Sequence, residues 1–411
     1  MKLIKTLLLP LLLAMSMSGC TPDPIAPPAN EDDKQEKPAE TPESEDKDAL
    51  EPLTPVDPIP AIEDGHVIVG YAVYWDERMP DPSLVTHINY AFAHIKDDFE
   101  SLDIKEYARL KKIVKLKSKN PDLKVVLSVG GWGAGNFSEM AADETHRRKF
   151  CDNCLKAVNT YNLDGIDIDW EYPGSSDADI SSSPNDIKNF TLLMRDLRYT
   201  LGAEKLVTIA TSASAKYYHL KDIEPYLNFI NIMTYDMGRP PYHHSALYPS
   251  SMTKRSCDES VEKHHTGGIP YRKLVLGIPF YGKPAEGESV DYIDLLSTAY
   301  RKYVELWDDV AKVPYLADSD GNMIYCLDNE TSVGLKAEYI KSKGLLGAMY
   351  WNIEADDNNW TLSKALATPL LTEEPEEPET PETPEEPADP EDPENSEESE
   401  TPEEGTPEAS L

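Results

Sequence analysis

Short apolar segments rich in β-branched and aromatic residues recur along the middle of the chain, and amphipathic helical patterns separate most of them. The stretches 102–118 and 185–201 show the helical spacing most clearly. Strands that alternate with helices predict a parallel sheet. The apolar segments number eight: 66–75, 87–95, 124–132, 164–170, 206–214, 229–236, 273–282 and 345–351.

Eight strand–helix units predict one α/β domain over residues 65–371, folded as a closed (β/α)8 barrel. The alternative is a doubly wound open sheet. Such a sheet would normally carry a glycine-rich phosphate-binding turn after its first strand, and the segment 69–75 (VGYAVYW) has none. We therefore expect the closed barrel.

Aromatic and polar side chains cluster where the predicted strands end. Active sites of such barrels lie at the carboxyl ends of the strands. A core capped by aromatic side chains would explain one or two of these positions, but it would not explain why acids accompany them. The residues concerned are Tyr74, Trp75, Trp132, Glu171, Tyr235, Asp236, Trp351 and Asn352.

The segment 164–171 (DGIDIDWE) carries the sharpest pattern. Asp167, Asp169 and Glu171 alternate with apolar residues, so in a strand all three point to one face at steps of roughly 6.6 Å. The apolar face would pack on the helices, which places the acids inside the barrel. Carboxyl groups this close do not all ionise easily, and at least one is expected to hold a proton at neutral pH. The segment contains no Lys or Arg that would make them structural ion pairs.

A protonated carboxyl group beside a carboxylate, with aromatic side chains around them, fits the cleavage of a glycosidic bond. One acid protonates the leaving oxygen, and a negative group stabilises the cationic transition state. Clustered carboxylates also bind magnesium or calcium, but no phosphate-binding motif or EF-hand loop accompanies them. Cys151 and Cys154 form a CxxC in a helical pattern without a second ligand pair, so we expect them to pack as small hydrophobic residues. No metal and no cofactor are predicted.

The sequence resembles glycoside hydrolase family 18, and within it the chitinases, over about residues 66–366. The segment 164–173 (DGIDIDWEYP) is similar to the family's fourth-strand signature, and 127–132 (LSVGGW) is similar to its third-strand motif. Further motifs follow in the family's order: NYAFA (89–93), IMTYD (232–236), GIPFYG (277–282) and GAMYWN (347–352).

The resemblance implies hydrolysis of β-1,4-linked N-acetylglucosamine polymers by a retaining mechanism in which the substrate's own acetamido carbonyl is the nucleophile. It implies that Glu171 protonates the glycosidic oxygen and later activates water. Asp169 would orient the acetamido N–H, Asp167 would share a proton with Asp169, and Tyr235 would hydrogen-bond the attacking carbonyl. The resemblance places substrate-binding residues at Tyr71, Phe92, Gly131, Trp132, Tyr172, Met233, Asp236 and Trp351.

Two other functions stay open. An endo-β-N-acetylglucosaminidase that trims N-glycans would use the same barrel and mechanism. A surface lipoprotein that binds glycans without cutting them would be similar to the family's inactive lectins, but these typically lose the acid, and Glu171 is present.

Larger chitinases of the family carry an α+β insertion between strands seven and eight. Here the interval 283–344 leaves room for only a small insertion. A small insertion predicts a shallower, more open cleft, which favours endo-cleavage or action on short oligosaccharides over processive exo-action. We expect the protein to act as a monomer.

The amino terminus has the pattern of an export signal. Lys2 and Lys5 precede an apolar run that is too short to remain as a membrane-spanning helix. Residues 17–20 (MSGC) are similar to a bacterial lipobox, although Met17 stands where Leu is usual, and the resemblance implies lipidation of Cys20. Residues 1–20 are thus predicted to be a lipoprotein signal peptide, and the exported protein to be anchored in the bacterial cell envelope, at the outer membrane or cell surface. An ordinary cleaved signal is the alternative.

Charge is concentrated near the two ends of the chain. The sequence has 75 acidic and 39 basic residues, a net charge of −36. Residues 21–64 hold 14 acidic residues and three lysines, and residues 372–411 hold 18 acidic residues and no basic one. Both segments are rich in proline, so we expect disordered tails, the first of them linking the lipid to the enzyme. An acidic chain without clustered Lys or Arg is not expected to bind nucleic acid.

Overall fold

The computed structural model describes residues 57–62 and 65–372. Its strands are β1 (Val67–Val73), β2 (His87–Ile95), β3 (Leu102–Ile104), β4 (Lys124–Gly130), β5 (Gly165–Asp169), β6 (Leu206–Ser212), β7 (Phe229–Met233), β8 (Leu274–Pro279), β9 (Tyr281–Pro284), β10 (Val290–Asp291), β11 (Val304–Asp308), β12 (Val313–Ala317), β13 (Met323–Cys326) and β14 (Gly347–Trp351). Its α-helices are α1 (Tyr107–Val114), α2 (Phe137–Ala142), α3 (Glu144–Tyr161), α4 (Asp186–Leu201), α5 (Leu220–Ile223), α6 (Cys257–Thr266), α7 (Tyr292–Leu295), α8 (Glu330–Lys343) and α9 (Thr361–Leu371).

Parallel strands close into a barrel. The sheet order is β1-β14-β8-β7-β6-β5-β4-β2-β3, and β1 also pairs with β2, so the sheet has no free edge between its first and last parallel strands. Gly70 of β1 lies between Tyr350 and Ile88 in the register of these two closing pairs. The predicted (β/α)8 barrel is confirmed. The open-sheet alternative is wrong because β1 pairs with a parallel strand on each side, β14 and β2.

The barrel strands are buried on both faces, as expected for a parallel sheet covered by helices. On the outer face of β5, Ile166 and Ile168 pack in the main hydrophobic core, and the Trp170 ring stacks on Phe137 of α2 at 5.3 Å. The inner face is therefore left for the acidic residues of the same strand. Alternation along β5 thus fixes which side chains reach the barrel interior.

The predicted helix over 102–118 is wrong at its beginning. Leu102–Ile104 form β3, which pairs antiparallel with the end of β2, and the helix begins only at Tyr107. The strand forms because β2 continues past Ala91, its last residue paired with β1, and β3 pairs with the remaining residues 93–95. The predicted helix over 185–201 is confirmed as α4.

The insertion between the seventh and eighth barrel strands is a small antiparallel sheet with the short helix α7. Its strand order is β10-β9-β13-β12-β11. A buried ion pair lies between the end of the insertion and α8: Lys336 Nζ of α8 lies 2.7 Å from Asp328 Oδ2. Lys336 Nζ also donates a hydrogen bond of 2.8 Å to Ser245 Oγ, in the segment after β7. The predicted small insertion is confirmed, and its strand β9 follows β8 directly and pairs with β10 and β13.

Several predictions concern segments outside the described residues. These are the signal peptide, lipidation of Cys20, the linker 21–64 apart from its few described residues, and the acidic tail after residue 372. Within residues 57–62 and 65–372, no helix is both long and apolar enough to cross a membrane.

Candidate active site

Asp167 lies at the centre of the barrel interior, where four strands donate hydrogen bonds to it. Its Oδ2 accepts from Tyr71 Oη and Ser128 Oγ, each at 2.8 Å. Its Oδ1 accepts from Thr208 Oγ1 at 2.6 Å and from Asn231 Nδ2 at 3.3 Å. Burial raises the pKa of Asp167, and these four donors oppose that rise.

Asp169 lies one step further along the same face of β5 and is also buried. Its Oδ1 has no hydrogen-bond partner among the described residues. Burial raises the pKa of Asp169 well above its ordinary value, and the charges of Glu171 and Asp167 raise it further. This carboxyl group therefore combines a raised pKa with an oxygen that is free to accept a hydrogen bond from a ligand.

Glu171 follows β5 and reaches the mouth of the barrel. Burial raises its pKa to about 7, with a further upward contribution from the charge of Asp236 and an opposing hydrogen bond from Tyr172. A carboxyl group with this pKa can give up and take back a proton near neutral pH.

Cis peptide bonds join Glu171 to Tyr172, Ala91 to Phe92 and Trp351 to Asn352.

Asp236 is held as a carboxylate beside Glu171. Its Oδ1 accepts a hydrogen bond from Tyr281 Oη at 2.8 Å, and it lies 2.6 Å from Lys283 Nζ and 3.6 Å from His244 Nδ1. Burial acts to raise the pKa of Asp236, but the hydrogen bonds and charges of His244 and Lys283 outweigh it and hold the pKa below its ordinary value. A fixed negative charge therefore stands next to the candidate acid.

A cleft of about 360 Å³ opens at the carboxyl ends of the barrel strands. Tyr235 contributes a hydroxyl group to its wall, and the contact recorded for this group is a long one of 3.7 Å to Met349 Sδ. Most of the predicted site residues line this cleft: Tyr71, Phe92, Gly131, Trp132, Asp169, Glu171, Met233, Tyr235, Asp236 and Trp351. Tyr172 lines a smaller adjoining pocket, and Asp167 lies beneath the cleft.

Trp351 forms the base of the cleft and is packed on several sides by aromatic rings. The Phe92 ring stacks on it at 5.6 Å, and the Tyr71 ring lies at 5.7 Å. Gly131 allows this packing, because a Cβ there would lie 2.6 Å from the Phe92 ring and the residue has a φ of +94°. Trp351 thus presents a flat apolar surface held in one orientation.

Two exposed tryptophans flank the base. Trp75, which is 58% exposed, lies 6.2 Å from Trp351. Trp132, which is 62% exposed, lies 6.4 Å from the ring of Tyr172. Tyr172 in turn stacks on Tyr217 at 4.7 Å with nearly parallel rings. Exposed aromatic rings therefore lie beside Trp351 and beside Tyr172, the residue that follows Glu171.

Sequence reasoning missed the residues that hold the acids in place. Three of these are polar residues within apolar strand segments: Ser128, Thr208 and Asn231. Their polarity in such segments is a signal that the sequence offers. That they share Asp167 as a partner follows only from the register of the strands. Lys283 and Tyr281 were missed because they belong to β9 of the insertion. Tyr217 and His94 gave no signal of their own.

Cys151 and Cys154 are both fully buried on α3, and burial raises the pKa of each thiol. They pack as small hydrophobic residues, as predicted. Among residues 57–62 and 65–372, no group of three or more His, Cys, Asp or Glu side chains is placed to bind a metal ion.

Comparison with known proteins gives consistent matches. The family model described as "Glycosyl hydrolases family 18" matches residues 67–356. Chitinase A1 of Niallia circulans is 32% identical over 414 aligned residues, covering 75% of this chain and 59% of that protein. The chain thus spans less than two thirds of that relative's length. Chitotriosidase-1 of Mus musculus is 30% identical, with 70% of each chain covered.

A solved structure gives the same result. The glycoside hydrolase family 18 N-acetylglucosaminidase from Paenibacillus barengoltzii is similar with a TM-score of 0.68 at 34% identity. The match covers 74% of this chain and 100% of that structure.

Proposed function

This chain belongs to glycosyl hydrolase family 18, and on that basis we propose that it hydrolyses β-1,4-linked N-acetylglucosamine polymers, chitin or its oligosaccharides. The observation that carries the proposal is the carboxyl group of Glu171, whose pKa is about 7 and which opens onto the cleft beside the buried carboxyl group of Asp169. The names of the relatives, chitinases and an N-acetylglucosaminidase, support this class of substrate.

The proposed reaction is retaining and assisted by the substrate. Glu171 gives its proton to the glycosidic oxygen while the bond from that oxygen to C1 breaks. The acetamido carbonyl oxygen of the same sugar bonds to C1 from the opposite face and forms an oxazolinium ring. Water then attacks C1, the ring opens, and the Glu171 carboxylate takes the proton that water loses. One water molecule is consumed and the acid is restored.

The surrounding groups support this assignment. The unpaired Oδ1 of Asp169 is available to accept a hydrogen bond from the acetamido N–H. Among the described residues the Tyr235 hydroxyl contacts just Met349 Sδ, at 3.7 Å, so it is available to donate to the acetamido carbonyl. Raised pKa values at both Asp169 and Asp167 fit a proton shared between them, with Asp167 fixed by its four donors.

We assign the sugar that reacts to the surface of Trp351, because pyranose rings stack on flat aromatic faces and this ring lies beside Asp169 and Tyr235 in the cleft wall. Trp75 and Trp132 offer exposed rings in the same cleft, one 6.2 Å from Trp351 and the other 6.4 Å from Tyr172, the residue after Glu171. A sugar chain that contacts both rings extends beyond the reacting sugar. A cleft that binds several sugars supports endo-cleavage over removal of single terminal sugars.

The two alternatives are less well supported. An enzyme that trims N-glycans would share the acid and the barrel, but the relatives named above are chitinases and an N-acetylglucosaminidase. A glycan-binding protein without catalysis has no need of a carboxyl group whose pKa is raised to about 7. Both are tested by the experiment below.

The experiment offers chitooligosaccharides and a high-mannose glycoprotein in parallel to the wild type and to Glu171→Gln. We expect the wild type to cleave the oligosaccharides and the variant to lose activity by about 10²- to 10⁴-fold. Cleavage of the glycoprotein alone would overturn the substrate assignment. Equal, undetectable activity of both proteins on every N-acetylglucosamine polymer would overturn the enzyme assignment.

We further propose that the protein is a monomer anchored in the bacterial cell envelope through a lipid on Cys20. The anchor rests on the sequence of residues 1–20 alone. Cys20→Ser should release the protein from the membrane fraction. Retention of the variant in that fraction would refute the anchor.

A further inference from the structure

Arg255 stands immediately before α6, in a position that the helix cap fixes. Ser256 is the N-cap residue: its hydroxyl accepts a hydrogen bond from the Glu259 N–H at 3.2 Å, and the Glu259 carboxylate accepts from the Ser256 N–H at 2.8 Å. This reciprocal pair occupies both orphan donors at the helix start. The backbone that carries Arg255 is therefore held rigidly, and its side chain is half-buried.

The Arg255 side chain lines a pocket of about 120 Å³ that adjoins the main cleft. Glu171 and Tyr235 belong to the walls of both, whereas Trp351 and Asp169 belong only to the main cleft. The small pocket therefore borders the acid Glu171 but not the Trp351 surface. If the reacting sugar sits on Trp351, this pocket receives the sugar that leaves.

The guanidinium group of Arg255 has no recorded partner. Within the part of the chain that the structure describes, no hydrogen bond, ion pair or ring contact involves it. The acids nearby are engaged elsewhere, Asp236 with Lys283 and Glu259 with the helix cap. The five N–H donors of this guanidinium group are therefore available to a ligand that enters the pocket.

We propose that Arg255 is a specificity-determining residue that donates hydrogen bonds to oxygen atoms of the N-acetylglucosamine unit on the leaving-group side. The inference rests on the proposed function. The acceptors are hydroxyl or acetamido oxygens of a neutral sugar, opposite the apolar surfaces of Ala213 and Met237 in the same pocket. The planar guanidinium group carries N–H donors in a fixed fork, which suits two oxygen atoms of one sugar.

The test compares two substrates that differ only on the leaving-group side. One is the N-acetylglucosamine tetramer, and the other is an aryl glycoside of the N-acetylglucosamine dimer, which places a nitrophenyl group in the pocket instead of a sugar. Arg255→Ala should lower kcat/KM for the tetramer by about 10- to 100-fold more than for the aryl glycoside. Arg255→Lys should fall between the wild type and Arg255→Ala, because an ammonium group keeps the charge but loses the paired N–H geometry.

The matched control is Lys254→Ala, which removes the neighbouring cation, an exposed side chain that lies over the Tyr242 ring. Its ratio of the two kcat/KM values should equal that of the wild type. Equal losses on both substrates in Arg255→Ala, or no loss on the tetramer, would overturn the inference. If the wild type hydrolyses neither the tetramer nor the aryl glycoside, the proposed function is refuted, and the inference with it. Thermal unfolding of each variant shows whether the protein remains folded.

Discussion

The hydroxyl group of Tyr71 on β1 donates a hydrogen bond of 2.8 Å to Oδ2 of Asp167 on β5, across the interior of the barrel. Together with donors from β4, β6 and β7, it fixes the carboxylate that lies beneath Asp169. Within residues 57–62 and 65–372, no comparable set of donors contacts Asp169 or Glu171. The acids of one strand therefore divide into one that is held in place and two that are available for substrate.

Tyr71→Phe removes one donor from Asp167 and should lower both stability and kcat. The lost hydrogen bond to a charged group should cost about 1.5–3 kcal/mol of unfolding free energy, measured by urea denaturation. The matched control is Tyr90→Phe. Tyr90 is also buried and on a barrel strand, but it donates to the backbone carbonyls of Lys105 and Glu106. It should lose stability while keeping kcat, and an equal fall of kcat in both variants would contradict the role given to Tyr71.

The pH profile of kcat/KM should fall on its basic side near pH 7. Glu171 must carry a proton to act as the acid, and its pKa is about 7. Asp236→Asn removes the negative charge that helps to raise this pKa, so the basic limb should move to lower pH. Glu338→Gln, an exposed change on α8, is the control and should leave the limb in place. A limb that moves upward, or does not move, in Asp236→Asn would contradict this account.

Stability should depend on the protonation of Glu171. Its pKa is raised in the folded protein, from 4.5 to about 7, so its stabilising contribution is complete below pH 4.5 and is lost as the pH rises through 7. Glu171→Gln removes this loss. The variant should therefore gain stability relative to the wild type between pH 4.5 and pH 8, by up to about 3 kcal/mol. Urea titrations across this range measure the gain, and a difference independent of pH would argue against the raised pKa.

The buried ion pair of Lys336 and Asp328 should stabilise the folded protein because each charge neutralises the other. Lys336→Met leaves the Asp328 carboxylate buried without its cation and should cost about 3–5 kcal/mol of unfolding free energy. Asp328→Asn added to it removes the stranded charge and should recover most of that loss, because Asn can still accept the hydrogen bond from Ser332. A double-mutant cycle measures the coupling. Additive losses would mean that the pair does not act as a unit.

Trp132→Ala should weaken substrate binding without destabilising the protein. The ring is 62% exposed, so its removal uncovers little of the core. We expect KM for an N-acetylglucosamine hexamer to rise about 10-fold, since one stacking surface is lost. The melting temperature should stay that of the wild type. A large fall in melting temperature would show that the ring supports the loop instead of the substrate.

Much of the fold follows from the sequence alone. Each of the eight apolar segments forms a barrel strand, and the alternation in 164–171 places Asp167 and Asp169 inside the barrel as expected. Local periodicity carries this information because strands of a parallel barrel alternate between two fixed environments. The same alternation predicts that Glu171, which follows the strand, lies on the face of Asp167 and Asp169.

The supporting residues of the site do not follow from local patterns. Thr208 meets Asp167 only because of the register between β5 and β6, and Lys283 meets Asp236 only because the insertion turns β9 back over the barrel. In the sequence, Arg255 is one basic residue among many, and nothing in the local pattern distinguishes it. Only the folded chain shows that Arg255 and Glu171 line the same pocket. Such contacts depend on tertiary geometry, which periodicity does not encode.

The most direct test of the account is the anomeric form and length of the first products released from an N-acetylglucosamine hexamer, followed by NMR for the wild type and Glu171→Gln. The account predicts internal cleavage with the β-anomer formed first, because the acetamido group attacks and water then returns from the original face. It also predicts that Glu171→Gln releases these products at least about 100-fold more slowly. Formation of the α-anomer first, or equal rates for the two proteins, would contradict it.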